Sequence, residues 1–116
     1  MHELSIALSI IEIVSEEARH HGDARVEVVH LKLGALSGVV KDALLFSWEL
    51  ACEDTPLAGA SLAVEEIPVQ IRCNTCHSER TLDASLDFRC AACGGSETEV
   101  RSGRELEVAA IELQDA

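Results

Sequence analysis

The sequence predicts an α+β fold: two helices packed on a small three-stranded sheet, with a small inserted domain of different character. Three observations carry that prediction. Segments 3–21 and 40–53 repeat apolar residues at helical spacing, while segments near 25–36, 61–67 and 104–113 are rich in Val, Ile and Leu at strand spacing. Between the last two strands, four cysteines fall in two close pairs within a stretch of little apolar periodicity.

The chain has 116 residues, enough for one globular unit or two very small ones. A hydrophobic fraction of 47% with only 3% aromatic residues calls for a mostly aliphatic core. The formal net charge of −12 is spread along the chain. A surface of that sign repels phosphate backbones and anionic membranes, which argues against nucleic-acid and membrane partners. No apolar run approaches the length of a membrane span. The opening residues carry no basic leader and no small-residue cleavage site, so the cytoplasm is the expected compartment. In that compartment paired cysteines signal metal or redox chemistry before structural disulfides.

In the first helix Leu4, Leu8, Ile11 and Ala18 form one row, flanked by Ile6, Ala7, Ile10, Ile13 and Val14, so a broad buried face is expected. Glu3 suits the helix N-terminus; Arg19, His20 and His21 suit its C-terminal end, and Gly22 stops it. The strand that follows alternates imperfectly. Val26 and Val28 are in one phase and Val29, Leu31 and Leu33 in the other, so the strand either bulges near Val28–Val29 or is covered on both faces in its second half. Gly34, Ser37 and Gly38 mark the next loop. In the second helix Leu45, Trp48 and Cys52 share a row that Leu44 extends, and Thr55-Pro56 ends the segment. A short strand at 61–67 is limited by Pro68, and the last strand carries Leu106, Val108, Ile111 and Leu113. The expected division is 1–69 with 103–116 as the main domain and 70–102 as the insert.

Roughly 30 residues cannot supply a core of their own, so the insert needs another source of stability. Cys73-Asn-Thr-Cys76 and Cys90-Ala-Ala-Cys93 provide it. Each pair chelates from one tight knuckle, and two knuckles close a tetrahedron around structural Zn(II), making a zinc-ribbon-like domain. The Gly94-Gly95 pair lets the chain turn sharply there. Cys73 to His77 also spells the C-x-x-C-H of covalent haem attachment, but that chemistry leaves the second pair unexplained and belongs outside the cytoplasm. His77 itself is an alternate zinc ligand or a solvated loop residue. Four thiolates on one zinc leave a local charge of about −2, which further disfavours a nucleic-acid reader.

The first residues, Met1-His2-Glu3, admit two readings. One is a plain helix start. The other is a partial metal site. A histidine at position 2 blocks efficient removal of the initiator methionine, leaving the Met1 amine free. That amine, the amide nitrogen of His2 and its imidazole close fused chelate rings of a kind that favours Ni(II) or Cu(II), with Glu3 as a further donor.

The pattern as a whole resembles the HypA/HybF family of nickel metallochaperones. It comprises the MHE start, the apolar first helix, VxLxxGxLSGV from Val29 to Val39, the helix with Phe46 and Glu49, and the CxxC…CxxC insert before a final strand. The resemblance covers essentially the whole chain. It implies that His2 binds nickel with the Met1 amine and Glu3, that Ni(II) is cargo, and that Cys73, Cys76, Cys90 and Cys93 hold zinc. It further implies a HypB-type GTPase as partner and the [NiFe]-hydrogenase large subunit as client; in some relatives urease is fed as well. Some members carry a histidine after both CxxC pairs and respond to pH through it. Here Cys76 is followed by His77 but Cys93 by Gly94.

Of the remaining candidates, Cys52 is expected in the core and Trp48 in the core or at its rim, His20 and His21 to finish the first helix or assist nickel, and His30 to stand in a strand with no visible partner. No nucleophile–base pair or glycine-rich nucleotide motif appears, so an enzyme is not expected. The competing readings are a zinc-ribbon protein-interaction or transcription-associated module and a thiol oxidoreductase using one CxxC pair.

Overall fold

The computed structural model describes residues 2–83 and 86–114. Helix α1 spans Glu3–Arg19. It starts from His2, whose backbone is extended and whose carbonyl accepts the Ile6 N–H at 3.2 Å. It ends at Arg19 rather than at 21 because the chain turns left-handed at Gly22 (φ +70) and Asp23 (φ +58), where the His21 and Asp23 N–H groups both return to the Ala18 carbonyl.

The buried face of α1 is narrower than expected: Ala7, Ile10, Ile11, Val14 and Ala18 are inside, whereas Leu4 and Leu8 are about half exposed at 49% and 50%. Successive residues turn by about 100°. The buried stripe centres on Ala7, Val14 and Ala18, which leaves Leu8 on its flank.

Strand β1 (Arg25–Gly34) buries Val26 and then Val29, Leu31 and Leu33, so its inward phase does switch between Val26 and Val29. Helix α2 (Lys41–Cys52) buries Leu44, Trp48, Ala51 and Cys52, with Leu45 only partly covered. Strand β2 (Ser61–Ile67) follows, and the last strand, β6 (Leu106–Gln114), completes a three-stranded sheet of order β2-β1-β6. The Ala35 N–H, just past the end of β1, bonds the Ile67 carbonyl at the end of β2. The two strands therefore run in the same direction, and α2 is the crossover that such a pair requires. Gly34, at the same end of β1 but toward its other neighbour, donates to the Glu105 carbonyl just before β6, so β6 runs antiparallel to β1.

The main core joins the buried residues of α1 and α2 and Val26, Val29 and Leu31 of β1 to Leu57, Ala60 and Leu62, with Val108, Ile111 and Leu113 of β6 packed against it. Trp48 fixes one end: its ring is buried and its Nε1–H donates to the Ala60 carbonyl at 2.9 Å, so the polar handle is satisfied.

The cysteine-bearing stretch carries a second three-stranded sheet, order β4-β3-β5, from β3 (Gln70–Cys73), β4 (Glu79–Thr81) and β5 (Thr98–Ser102). Both neighbours are antiparallel to β3, with Ile71 opposite Arg80 on one side and Val100 on the other. Its apolar cluster is small: Val69, Ile71 and Leu82 buried, Leu36 and Val100 packed against them. By compactness the chain divides into Met1–Lys32 with Gly38–Glu65 and Glu107–Ala116, and Leu33–Ser37 with Glu66–Leu106. The second unit takes in 33–37 because Leu36 packs in its cluster and donates its N–H to the Gly103 carbonyl at 2.6 Å. Among the described residues no helix is long and apolar enough to cross a membrane.

Candidate metal centre

The two CxxC segments fold into the same knuckle. In the first, the Cys73 carbonyl accepts the His77 N–H at 2.9 Å and the Cys73 N–H donates to the Ser78 carbonyl at 2.8 Å. In the second, Cys90 accepts from Gly94 at 2.7 Å and donates to Gly95 at 2.9 Å. The closing residues are both left-handed, His77 at φ +64 and Gly94 at φ +72. Histidine therefore occupies in one knuckle the backbone position that glycine takes in the other.

These knuckles bring the four sulfurs of Cys73, Cys76, Cys90 and Cys93 within 4.8 Å of one another. Sγ of Cys73 lies 3.7 Å from Sγ of Cys93, and Sγ of Cys76 lies 3.5 Å from Sγ of Cys90. A tetrahedron with metal–sulfur bonds of about 2.3 Å has edges of about 3.8 Å, so both spacings across the knuckles fit a single zinc ion. Cys73 and Cys90 are buried and Cys76 and Cys93 exposed.

Two of the four donors are biased toward the thiolate in the metal-free cluster, whereas Cys93, which shares hydrogen bonds with Cys73 and Cys90, is pushed up to about 11. Backbone N–H groups of Cys76 and Thr75 hold the Cys73 thiol below its ordinary value. The Ser78 side chain, 3.2 Å from Sγ of Cys76, is the largest cause that brings that thiol down to about 6. Zinc binds thiolate, so groups that stabilise the anion favour the site. His77 is exposed and outside the cluster; its Nδ1 lies 3.4 Å from an Arg72 guanidinium nitrogen.

At the other end of the chain, Met1 lies outside the described residues. His2 is exposed at the N-cap of α1. Glu3 is half-buried, and its Oε2 accepts the Val40 N–H at 3.3 Å. Among the described residues, no group of three or more His, Cys, Asp or Glu side chains other than the four cysteines converges on one point.

The other histidines find ordinary partners. Nε2 of His20 is 3.4 Å from Glu16 and Nε2 of His21 is 3.2 Å from Glu17, each one helical turn back. Nε2 of His30 lies 2.6 Å from Oε2 of Glu112, a partner on β6 that the alternation of β1 could not reveal. Cys52 is buried, which pushes its thiol up to about 11. Two further contacts are absent from the sequence-based expectations. A hydroxyl two residues after Cys76 was visible as Ser78, whereas the pairing of Glu3 with Val40 has no local signal.

The family described as "Hydrogenase/urease nickel incorporation, metallochaperone, hypA" matches residues 1–113. Hydrogenase maturation factor HypA of Roseiflexus sp. (strain RS-1) is 50% identical over 115 residues, covering 99% of this chain and 94% of its own. A solution structure of a HypA protein shares the fold with a TM-score of 0.73 at 23% identity, covering 98% of this chain and 97% of its own. The solution structure of the Ni metallochaperone HypA from Helicobacter pylori does so at 0.66 and 23%, covering 97% of both chains. The chain belongs to the HypA family of nickel metallochaperones that serve hydrogenase maturation, and its four-cysteine cluster fits the structural zinc of that family.

Proposed function

We propose that this protein takes up Ni(II) at its N-terminus through the Met1 amine, the amide and imidazole nitrogens of His2 and the backbone of Glu3. It then hands the ion toward the [NiFe]-hydrogenase large subunit with a HypB-type GTPase. One observation carries the nickel site. The first intrahelical hydrogen bond of α1 is donated by Ile6, so the amides of His2 and Glu3 precede the helix's own ladder. A metal can replace their protons without breaking the helix. Chelation by nitrogen in fused rings suits nickel, and the acidic surface of a chain with net charge −12 favours a cation over competing anions.

In this reading Cys73, Cys76, Cys90 and Cys93 hold zinc for structure, since four protein thiolates leave no open position for cargo or substrate. The nickel-binding domain comprises 1–69 and 103–116 and the zinc domain 70–102. The protein acts in the cytoplasm by binding and delivery, without catalysis of its own; the energy of transfer comes from the GTPase.

The test is metal analysis with nickel titration of zinc-loaded protein. About one zinc per chain and a nickel site lost in His2→Ala, with zinc content unchanged, is the expected result. Equal nickel affinity in wild type and His2→Ala removes the N-terminal site from the proposal.

A further inference from the structure

The carboxylate of Glu3 stands where two helices begin. It belongs to the first turn of α1, and it accepts the backbone N–H of Val40, the N-cap residue of α2. Valine has no side-chain acceptor, and α2 accordingly starts with no side-chain cap of its own. The first N–H groups of a helix have no intrahelical partner and attract negative charge. Glu3 meets that need across 37 positions of sequence, from within the segment that would hold nickel.

We propose that the Glu3 side chain is a positioning group and not a nickel ligand: by holding the Val40 N–H it ties the first turn of α1 to the start of α2. This inference rests on the N-terminal nickel site proposed above. With Oε2 held at Val40, swinging the carboxylate into a chelate ring with its own amide competes with that bond. Its engagement fixes the orientation of the Glu3 backbone, and with it the amide nitrogens offered to the metal. Without the tie, the terminal residues lose their reference to the rest of the unit. Nickel would then bind the same donors after ordering them at its own expense, which weakens affinity without changing the ligand set.

Two side-chain variants and one backbone variant test this in zinc-loaded protein. Glu3→Gln keeps a side-chain carbonyl that can accept the Val40 N–H but is a poor metal ligand. Glu3→Ala removes the acceptor. Val40→Pro removes the donor, at a φ of −87° that is close to proline's range, and does not touch the metal-binding residues. Amide exchange at Val40, read without nickel, should rise about tenfold in Glu3→Ala and stay near wild type in Glu3→Gln. Nickel affinity should fall about five- to tenfold in Glu3→Ala and in Val40→Pro, and return in Glu3→Gln, with the nickel absorption spectrum the same throughout. A changed spectrum or lost affinity in Glu3→Gln would make the carboxylate a ligand and overturn the proposal. So would unchanged affinity in Glu3→Ala once Val40 exchange has risen. Wild-type protein that takes up no nickel overturns the site itself, whereas the Val40 exchange still reports on the tie.

Discussion

Gly34 and Gly103 meet backbone against backbone: a Cβ placed on Gly34 would lie 2.1 Å from the Gly103 carbonyl oxygen and 2.6 Å from the Glu105 nitrogen. Gly34 also donates to the Glu105 carbonyl at 2.7 Å, so the approach is held from both sides. Neither neighbour is a flexible side chain that can step aside. Gly34→Ala should therefore cost about 3 kcal/mol or more and lower the thermal midpoint sharply. Gly38→Ala is the control for cavity-free loss of glycine. That position is open, though its φ of +79 adds some strain, so a smaller loss is expected. Equal midpoints for wild type and Gly34→Ala would show that the junction relaxes.

This contact also marks where sequence reasoning stops. Period and spacing placed both helices, the three strands of the main sheet and the cysteine knuckles, because each is written in neighbouring residues. The four sulfurs converge because a CxxC turn closes locally through bonds such as Cys90 to Gly94. Gly34 read only as a loop marker, since the Gly103 carbonyl that demands it is far along the chain. Leu4 and Leu8 read as core because a helical row does not say where its neighbours stand; packing centred the stripe elsewhere. His30 lacked a partner until β6 brought Glu112 beside it. Longer-range relationships of this kind depend on strand order, which no local pattern encodes.

His77 closes the first knuckle at φ +64, a conformation in which a β-carbon is crowded, and its counterpart in the second knuckle is Gly94. Replacing it by glycine should relieve that strain. His77→Gly should keep about one zinc per chain and hold or raise stability by up to about 1 kcal/mol. A Co(II)-substituted form should give the same four-sulfur absorption before and after. Loss of zinc, or a changed cobalt spectrum, would place the imidazole in the metal shell.

Zinc-free protein should show a sharp order among its thiols. Ser78 and the neighbouring backbone bring Cys76 down to about 6, and burial pushes Cys52 up to about 11. The reactive species is the thiolate. At pH 7 Cys76 is therefore mostly anionic and Cys52 is not. Iodoacetamide should label Cys76 first, with a rate that falls as pH drops through about 6. Ser78→Ala removes the largest cause and should move that fall to higher pH. Cys52 should stay unlabelled until the fold opens. Zinc should protect Cys76 fully; labelling of Cys76 at the same rate with zinc bound would show that its sulfur is not a ligand.

The N-terminal amine gives the most direct test of where nickel sits. If Met1 supplies that nitrogen, any residue placed before it converts a basic amine into an amide and removes a donor, while leaving His2 and Glu3 in place. The helix needs none of this: its first bond runs from Ile6 to His2, and its buried face starts at Ala7. Extension by Gly-Ser should therefore leave helical content, thermal midpoint and zinc content unchanged and weaken nickel by at least about tenfold, a loss of about 1.4 kcal/mol. An enzymatic cleavage that restores Met1 should restore the affinity in the same sample. The pH dependence follows from the same donors. Nickel must displace protons from the amine, from the imidazole and from backbone amide, so uptake should weaken steeply as pH falls below neutrality. The extended form, with one fewer titrating donor, should show a shallower slope. Equal affinities and equal slopes would mean that the first residues serve only to start α1.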